Sequence, residues 1–162
     1  MKGDEKVIEF LNQALTNELT AINQYWLHYR VLDNWGVSRL AAKEREESID
    51  EMKHADALAD RVLFLDGLPN FQAINRLKVG ETVEEILKAD LALEMEAIPL
   101  LRDAIEYCES VRDYVSRELF EDILESEEEH VDFLEKQFDQ IERMGLQNYV
   151  QLQSKPVGDE GE

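Results

Sequence analysis

The chain contains few of the residues that interrupt helices or cross-link chains. Of its 162 residues, only three are proline, seven are glycine and one, Cys108, is cysteine. Scarce proline and glycine favour long helices over turn-rich β structure. A single cysteine excludes a disulfide within the chain, which suits a reducing compartment.

Basic residues and long apolar runs are also scarce. Seventeen Lys and Arg stand against 37 Asp and Glu, so the formal net charge is −20 at pH 7. This charge argues against nucleic acid or an anionic membrane as a partner, because both need a basic surface. Residues 1–6 lack the apolar run of a signal peptide, and no segment approaches the roughly 20 apolar residues of a membrane span. We therefore expect a cytoplasmic location.

Four long segments carry apolar residues at alternating steps of three and four, which is typical of a helical-bundle seam. Asp4 can cap the first helix, which we expect to end at about Asn34, before Gly36. Ser38 can cap the second helix, which ends near Leu65. Each main helix has roughly 27–30 residues and a length of about 40–45 Å.

The second half of the chain has the same plan. Residues 82–85, Thr-Val-Glu-Glu, form a capping box that opens the third helix. Pro99 lies inside that helix and should kink it. Asp113 can cap the fourth helix, which Gly145 ends, and a short fifth helix is expected over residues 146–152.

The connection between the halves, residues 66–81, is too long for a tight turn between helices. It is long enough to cross the length of a bundle, as one connection does in some four-helix folds. We therefore predict one all-α four-helix domain over residues 1–153. The polar tail over residues 154–162 is expected to be disordered.

Six ionisable residues form a repeated pattern on the apolar stripes of these helices. The pattern Glu-x32-Glu-x2-His occurs twice, and the second copy follows the first by 76 residues. Each side chain takes a seam position where leucine would be the default and where a lone charge is costly to bury. The six residues are Glu18, Glu51, His54, Glu94, Glu127 and His130.

Four glutamates and two histidines from four helices are the ligand set of a dinuclear metal site in a bundle core. Four carboxylates balance the charge of two divalent ions, and oxygen and imidazole ligands without thiolate suit iron, manganese or zinc. By symmetry, Glu51 and Glu127 would bridge the two ions. Each remaining glutamate would complete one ion together with the histidine of its own copy. The alternative is a buried, salt-bridged polar set that only fixes helix register.

Other polar residues allow two interpretations. Tyr25 lies on the site-facing stripe of the first helix and either donates a hydrogen bond to a bridging carboxylate or is an ordinary core tyrosine. Glu44, Glu47 and Asp50 form either a path for cations or a solvated face. His28 lies off the stripe, and we interpret it as a surface or interface histidine.

Four further segments match one known family: residues 1–4, 23–25, 47–56 and 144–149, which read MKGD, NQY, ESIDEMKHAD and MGLQNY. With the six residues above, they make the chain similar to the bacterioferritins over nearly its whole length. The resemblance implies a ferritin-like bundle with a long crossover connection. It also implies a hollow 24-subunit cage built from twofold dimers, a di-iron ferroxidase centre in each subunit and a ferric mineral core.

The resemblance further implies haem b at a twofold interface, held by one methionine from each subunit, and Met52 matches that methionine. It lies about 100° round the helix from Glu51 and so points away from the site. From the sequence alone, packing is the alternative for a lone methionine. Some members have a histidine in place of Glu46. In those members the histidine, together with the residue at Asp50, holds an extra iron on the inner wall. We therefore treat Glu46, Glu47 and Asp50 as a candidate inner-wall iron site.

The predicted function is iron storage by a ferroxidase that oxidises Fe(II) with O2 or H2O2, with a separate electron donor for iron release. One alternative is a di-iron oxidase or oxygenase acting on an organic substrate. The other is a non-catalytic cage or haem-binding scaffold that binds no iron at the six residues.

Overall fold

A computed structural model describes residues 1–158 of the chain. Within this range there are five helices and no strand. The helices are α1 (Glu5–Asn34), α2 (Ser38–Phe64), α3 (Val83–Ser110), α4 (Tyr114–Met144) and α5 (Leu146–Leu152). The predicted all-α bundle with a short fifth helix is confirmed, and α3 continues without a break through Pro99.

The four long helices form two hairpins, α1 with α2 and α3 with α4, and the hairpins meet chiefly where α1 packs on α3. Apolar side chains fill the bundle in two main clusters, one toward each end. One cluster includes Leu11, Leu58 and Phe120, and the other includes Leu32, Leu87 and Leu134. The ionisable residues of the repeated pattern lie between the two clusters.

Three of the four predicted helix caps form. The Asp4 carboxylate accepts hydrogen bonds from the backbone N–H groups at 6 and 7, and Thr82 accepts from the N–H of Glu85 at 3.1 Å. Asp113 accepts from the N–H of Ser116 at 3.0 Å. These side chains satisfy donors that the first turn of a helix leaves unpaired.

The prediction that Ser38 caps α2 is wrong. Ser38 is the first helical residue, and the cap position is Val37, which makes no side-chain hydrogen bond. Gly36 has φ +82° and turns the chain so sharply that α2 starts one residue earlier than the cap pattern indicates. The Ser38 hydroxyl lies 3.4 Å from the Gly36 carbonyl oxygen instead.

The connection between α2 and α3 runs along α1 and is held there by polar side chains of that helix. Asn12 accepts from the N–H of Asn70 at 2.9 Å, and Thr20 accepts from the N–H of Asn75 at 2.9 Å. Farther along α1, Gln24 and His28 accept from the backbone N–H groups at 78 and 80, at 2.9 and 3.0 Å. These contacts span sixteen residues of α1, or about 24 Å, so the connection crosses much of the bundle.

Residues 156–158, which follow α5, are exposed. Residues 154–158 contain no helix, and residues 159–162 lie outside the described range, so disorder of the tail stays a prediction. None of the helices over residues 1–158 has the length and apolar character needed to cross a membrane.

Candidate metal centre

The six residues of the repeated pattern meet in the polar layer between the two apolar clusters. α1 supplies Glu18, and α3 supplies Glu94, while α2 and α4 each supply a Glu-x2-His pair. Their helical spacing places each pair on one face of its helix. The four glutamates and His130 are at most 3 % exposed, and His54 is partly buried.

One half of the site surrounds His54. Its Nδ1 atom lies 3.6 Å from a carboxylate oxygen of Glu51 and 3.7 Å from oxygens of Glu18 and Glu127. One ligand atom from each of these four residues lies within 4.8 Å of the others. These separations are long for hydrogen bonds. They fit donors around an ion, since ligands about 2.1 Å from a tetrahedral centre lie ~3.4 Å apart.

The other half surrounds Glu94. One of its oxygens lies 3.0 Å from His130 Nδ1 and also accepts a short hydrogen bond from the Tyr25 hydroxyl. The Tyr25 ring meets the His130 ring edge-on, with centroids 5.2 Å apart. Tyr25 therefore donates its hydrogen bond to Glu94. It does not donate to Glu51 or Glu127, the two glutamates that the symmetry of the pattern predicts to be bridging.

The two halves share one small cavity, which is lined by Glu18, Glu51, Glu94 and Glu127. Its volume is about 10 Å³, roughly the space that one water molecule needs. All four carboxylates of the repeated pattern therefore face the same point in the bundle.

Buried polar atoms without partners mark this centre. Glu18 Oε2, His54 Nδ1, Glu94 Oε2 and Glu127 Oε1 are buried and make no hydrogen bond. Leaving such an atom unpaired costs about 1–3 kcal/mol, and native cores contain few of them. Two cations held between these carboxylates and imidazoles would satisfy all four atoms. The donor set thus fits metal ions better than a salt-bridged set that only fixes register.

The metal-free centre holds protons that a metal ion would have to displace. Burial, and next the negative charge of Glu127, raise the pKa of Glu94 well above its usual range. Burial alone would lower the pKa of His54, but the neighbouring carboxylates of Glu127 and Glu51 raise it to about 10. In the same way, Glu94 overcomes the effect of burial and raises the pKa of His130 to about 9. Metal binding should therefore release protons.

The residues predicted to lie around the site are placed as follows. Glu44 and Glu47 are 3 % and 6 % exposed, so a solvated face is the wrong interpretation for both. Glu47 forms an ion pair with Lys43 at 2.9 Å and lies 3.8 Å from His130. Asp50 is partly buried and Glu46 is exposed. Met52 is 42 % exposed, on a different side of α2 from the buried Glu51.

The prediction that His28 is a surface or interface histidine is wrong. Its side chain is completely buried and lies 2.9 Å from Asp90, because the α2–α3 connection covers this side of α1. Asp90 itself, also fully buried, was missed. Its position one turn before Glu94, among apolar residues of α3, was the available signal.

A family model of the ferritin-like domain matches residues 8–144. The ferritin-like proteins are the class that this bundle and its candidate centre define. A bacterioferritin of Brucella melitensis is 51% identical over 162 residues and is covered completely, as is this chain. A bacterioferritin of Rhodobacter capsulatus is 51% identical, with 97% of this chain and 98% of the relative covered. A bacterioferritin of Streptomyces coelicolor is 49% identical, with 98% of each covered. The chain therefore belongs to the bacterioferritin family.

Proposed function

We propose that the protein stores iron and is a ferroxidase. Fe(II), its substrate, binds at the six-residue centre and is oxidised to Fe(III) by O2 or H2O2, and the ferric product is deposited inside a 24-chain cage. The convergence of four glutamates on one cavity, with His54 and His130 close to their carboxylates and with four unpaired buried atoms, carries this proposal. Membership of the bacterioferritin family supports it.

Each residue of the centre has a distinct proposed role. Glu18 with His54 would hold one ion, and Glu94 with His130 the other. Glu51 and Glu127 would bridge them, and both lie within 3.7 Å of His54 Nδ1. Two ferrous ions held together supply two electrons to one oxidant. Tyr25 orients Glu94 through its hydroxyl and fills the space beside His130.

The same centre does not fit an organic substrate. The cavity between the carboxylates is about 10 Å³, whereas sites for small organic ligands usually span a few hundred Å³. Metal ions would be bound directly by the carboxylate and imidazole atoms that line or adjoin this cavity, whereas an organic substrate would need a much larger one. This favours iron oxidation over the oxidase or oxygenase alternative.

We also propose that Met52 ligates haem b together with the Met52 of a second chain. Met52 is 42 % exposed and lies about 100° round α2 from the buried Glu51, so it is accessible to a group shared between two chains. Thioether sulfur is a known axial ligand of haem iron. Replacing Met52 with leucine should remove the haem absorption band from the purified protein and leave the particle size unchanged. Retention of the band would refute this ligand assignment.

Two further parts of the proposal concern the cage and its surroundings. Glu46, Glu47 and Asp50 are the proposed inner-wall iron site, although Glu47 is already paired with Lys43. A cytoplasmic electron donor would reduce the mineral when iron is released. Neither point is needed for the ferroxidase centre itself.

The test of the centre is the initial rate of Fe(II) oxidation at two ions per chain. Replacing Glu51 and His130 together with alanine should abolish the rapid phase, because it removes one bridging and one terminal ligand. The matched control is Glu128→Ala, which removes an exposed carboxylate next to Glu127 and should keep the rate. Unchanged initial rates in the double variant would refute the site assignment, and no iron binding in the wild type would favour a non-catalytic scaffold.

A further inference from the structure

A second buried polar cluster lies beside the metal centre. His28 and Asp90 are fully buried and Glu44 is 3 % exposed, and one ligand atom from each lies within 4.8 Å of the others. Asp90 Oδ1 accepts hydrogen bonds from Gln24 Nε2 and from His28, both at 2.9 Å. The proposed function uses none of these residues.

The hydrogen bonds of His28 decide its tautomer. The backbone N–H of Gly80 donates to Nε2 at 3.0 Å, so this nitrogen uses its lone pair as an acceptor. In a neutral imidazole the proton then resides on Nδ1, which donates it to Asp90. Both ring nitrogens are engaged, and the ring has no lone pair left for a metal ion. The cluster is therefore a hydrogen-bonded network.

The charges in the network agree with this arrangement. Burial, and next the charge of Asp90, raise the pKa of Glu44 well above its usual range. Burial would also raise the pKa of Asp90, but the neighbouring Glu44 and the hydrogen bonds from His28 and Gln24 lower it. Asp90 is thus the charged member of this network. Gln24 and His28 stabilise its Oδ1 atom, while Asp90 Oδ2 and Glu44 Oε2 make no hydrogen bond.

The network is continuous with the half of the centre that contains Glu94. Gln24, Tyr25 and His28 lie on one turn of α1. Tyr25 holds Glu94, while Gln24 and His28 hold Asp90, which lies four residues earlier on α3. One turn of α1 therefore forms hydrogen bonds with two carboxylates of α3, Asp90 and Glu94, which lie one helical turn apart. Gln24 and His28 also bind the backbone of the α2–α3 connection.

We propose that Asp90 is a positioning residue for the metal centre, which fixes α3 against α1 so that Glu94 meets His130 and Tyr25. The inference rests on the proposed function only in taking the centre to bind two metal ions. Removing Asp90 should affect the Glu94–His130 half and leave the Glu18–His54 half as it is. Partners that orient metal ligands typically change metal affinity by about 10–100-fold when they are removed.

The experiment is a Co(II) titration of the metal-free full-length protein, followed by visible absorption. The wild type should bind two ions per chain, and His130→Ala identifies the phase that belongs to the Glu94 half. Asp90→Ala should weaken that phase about tenfold or more and leave the other phase unchanged. Asp90→Asn should restore it, because the amide oxygen still accepts from Gln24 and His28.

The control for mere docking of the connection is Thr20→Val. It removes the hydroxyl that accepts from Asn75 on the same face of α1, but it does not touch Asp90. Both Co(II) phases should keep their wild-type affinities. If Asp90→Ala does not fold, Gln24→Met, which removes one of the two hydrogen bonds to Asp90, should weaken the same phase selectively.

Several outcomes would overturn the proposal. The first is an unchanged Co(II) affinity in Asp90→Ala or, if that variant does not fold, in Gln24→Met. The second is an equal weakening of both Co(II) phases in the same variant. The third is an equal loss of Co(II) affinity in Thr20→Val. Three ions in the wild type and two in Asp90→Ala would instead make the cluster a metal site. A wild type that binds no Co(II) would refute the proposed function itself, whereas two tight phases that ignore Asp90 would refute only this inference.

Discussion

Burial disfavours the charged forms of three carboxylates of the candidate metal centre, Glu51, Glu94 and Glu127, and raises their pKa values. Burial raises the pKa of Glu51, against the lowering effect of His54, so the charged form is disfavoured in the folded state. Only a cation bound by these carboxylates would offset this loss in the free energy of unfolding. Proteins commonly exchange stability for function at such sites.

Replacing Glu51 with glutamine should therefore raise the free energy of unfolding of the metal-free protein at pH 7. The folded pKa of Glu51 lies above the ordinary value of 4.5, so the native state binds more protons than the unfolded state above that pH. Its contribution to stability then falls as pH rises, and the variant should lose this dependence. Urea denaturation between pH 4.5 and 8 measures both effects. The exposed Glu128→Gln is the control, and a variant less stable than the wild type would contradict the prediction.

Cys108 should be chemically inert in the folded protein. Its side chain is fully buried, and burial, followed by the charges of Asp113 and Asp4, raises its pKa to about 12. The reactive thiolate is therefore almost absent at neutral pH. Ellman's reagent should detect no thiol in the native protein and one per chain in guanidinium chloride. Rapid reaction in the native state would show that this end of the bundle opens readily.

At the scale of the elements, α4 depends on a cap that also joins it to α2. Asp113 accepts from the N–H of Ser116 and forms an ion pair with Arg61 at 2.9 Å. Burial alone would raise the pKa of Asp113, but the bonds from Ser116 and the charge of Arg61 lower it. One side chain thus begins a helix and ties it to its neighbour.

Asp113→Ala should lower the free energy of unfolding by about 1–2 kcal/mol at pH 7, the usual cost of losing a cap. Because the folded pKa lies below the ordinary 3.8, the contribution of Asp113 is complete above that pH and is lost as pH falls through the folded pKa. Urea denaturation at pH 7 and pH 3 measures the difference between variant and wild type. Asp122→Ala, on the exposed side of α4, should have little effect. A difference that grows toward pH 3 would contradict the assignment.

Gly80 is required where the connection enters α3. A Cβ atom at this position would lie 2.4 Å from the backbone nitrogen of Ile86. The backbone N–H of Gly80 also donates a hydrogen bond to His28. Gly80→Ala should therefore displace the connection and lower the free energy of unfolding by about 1–3 kcal/mol, as overpacking does. The urea midpoint measures the loss, and the exposed Val79→Ala is the control. An unchanged midpoint would mean that the backbone relaxes at no cost.

At the scale of the whole molecule, the bundle leaves large apolar side chains exposed near both ends of α2. Leu63, Phe64 and Val115 are more than half exposed at one end, and Trp35 is 43 % exposed at the other. Such surfaces agree with burial between subunits. The proposed cage makes a direct prediction about size.

The native particle should elute at about 450 kDa, the mass of twenty-four chains of 18.8 kDa. Light scattering coupled to gel filtration gives the mass without assuming a shape. A monomer or dimer would contradict the cage and favour a di-iron enzyme of another kind.

Loading with a redox-inert divalent metal such as Zn(II) should raise the melting temperature without changing the mass, because the metal binds only the folded centre.

Much of the fold followed from patterns that are local in the sequence. The helix ends at Asp4, Thr82 and Asp113 were predicted because a cap acts within three residues. The six residues of the centre were found because a Glu-x2-His pair lies on one helix face and the pattern recurs after 76 residues. Ser38 was misplaced because the turn at Gly36 decides where α2 begins.

The sequence by itself determined that four amphipathic helices would carry two matching sets of carboxylate and imidazole donors. Periodicity and spacing act along one helix, so they can be read without knowing its neighbours. Only the tertiary structure decided that His28, Glu44 and Asp90 are buried, and that Tyr25 holds Glu94. These contacts join residues 62–69 positions apart, and they depend on how α1, α3 and the connection pack together. Burial is a property of that packing, and a pattern along one helix indicates it without identifying the residues that cover it.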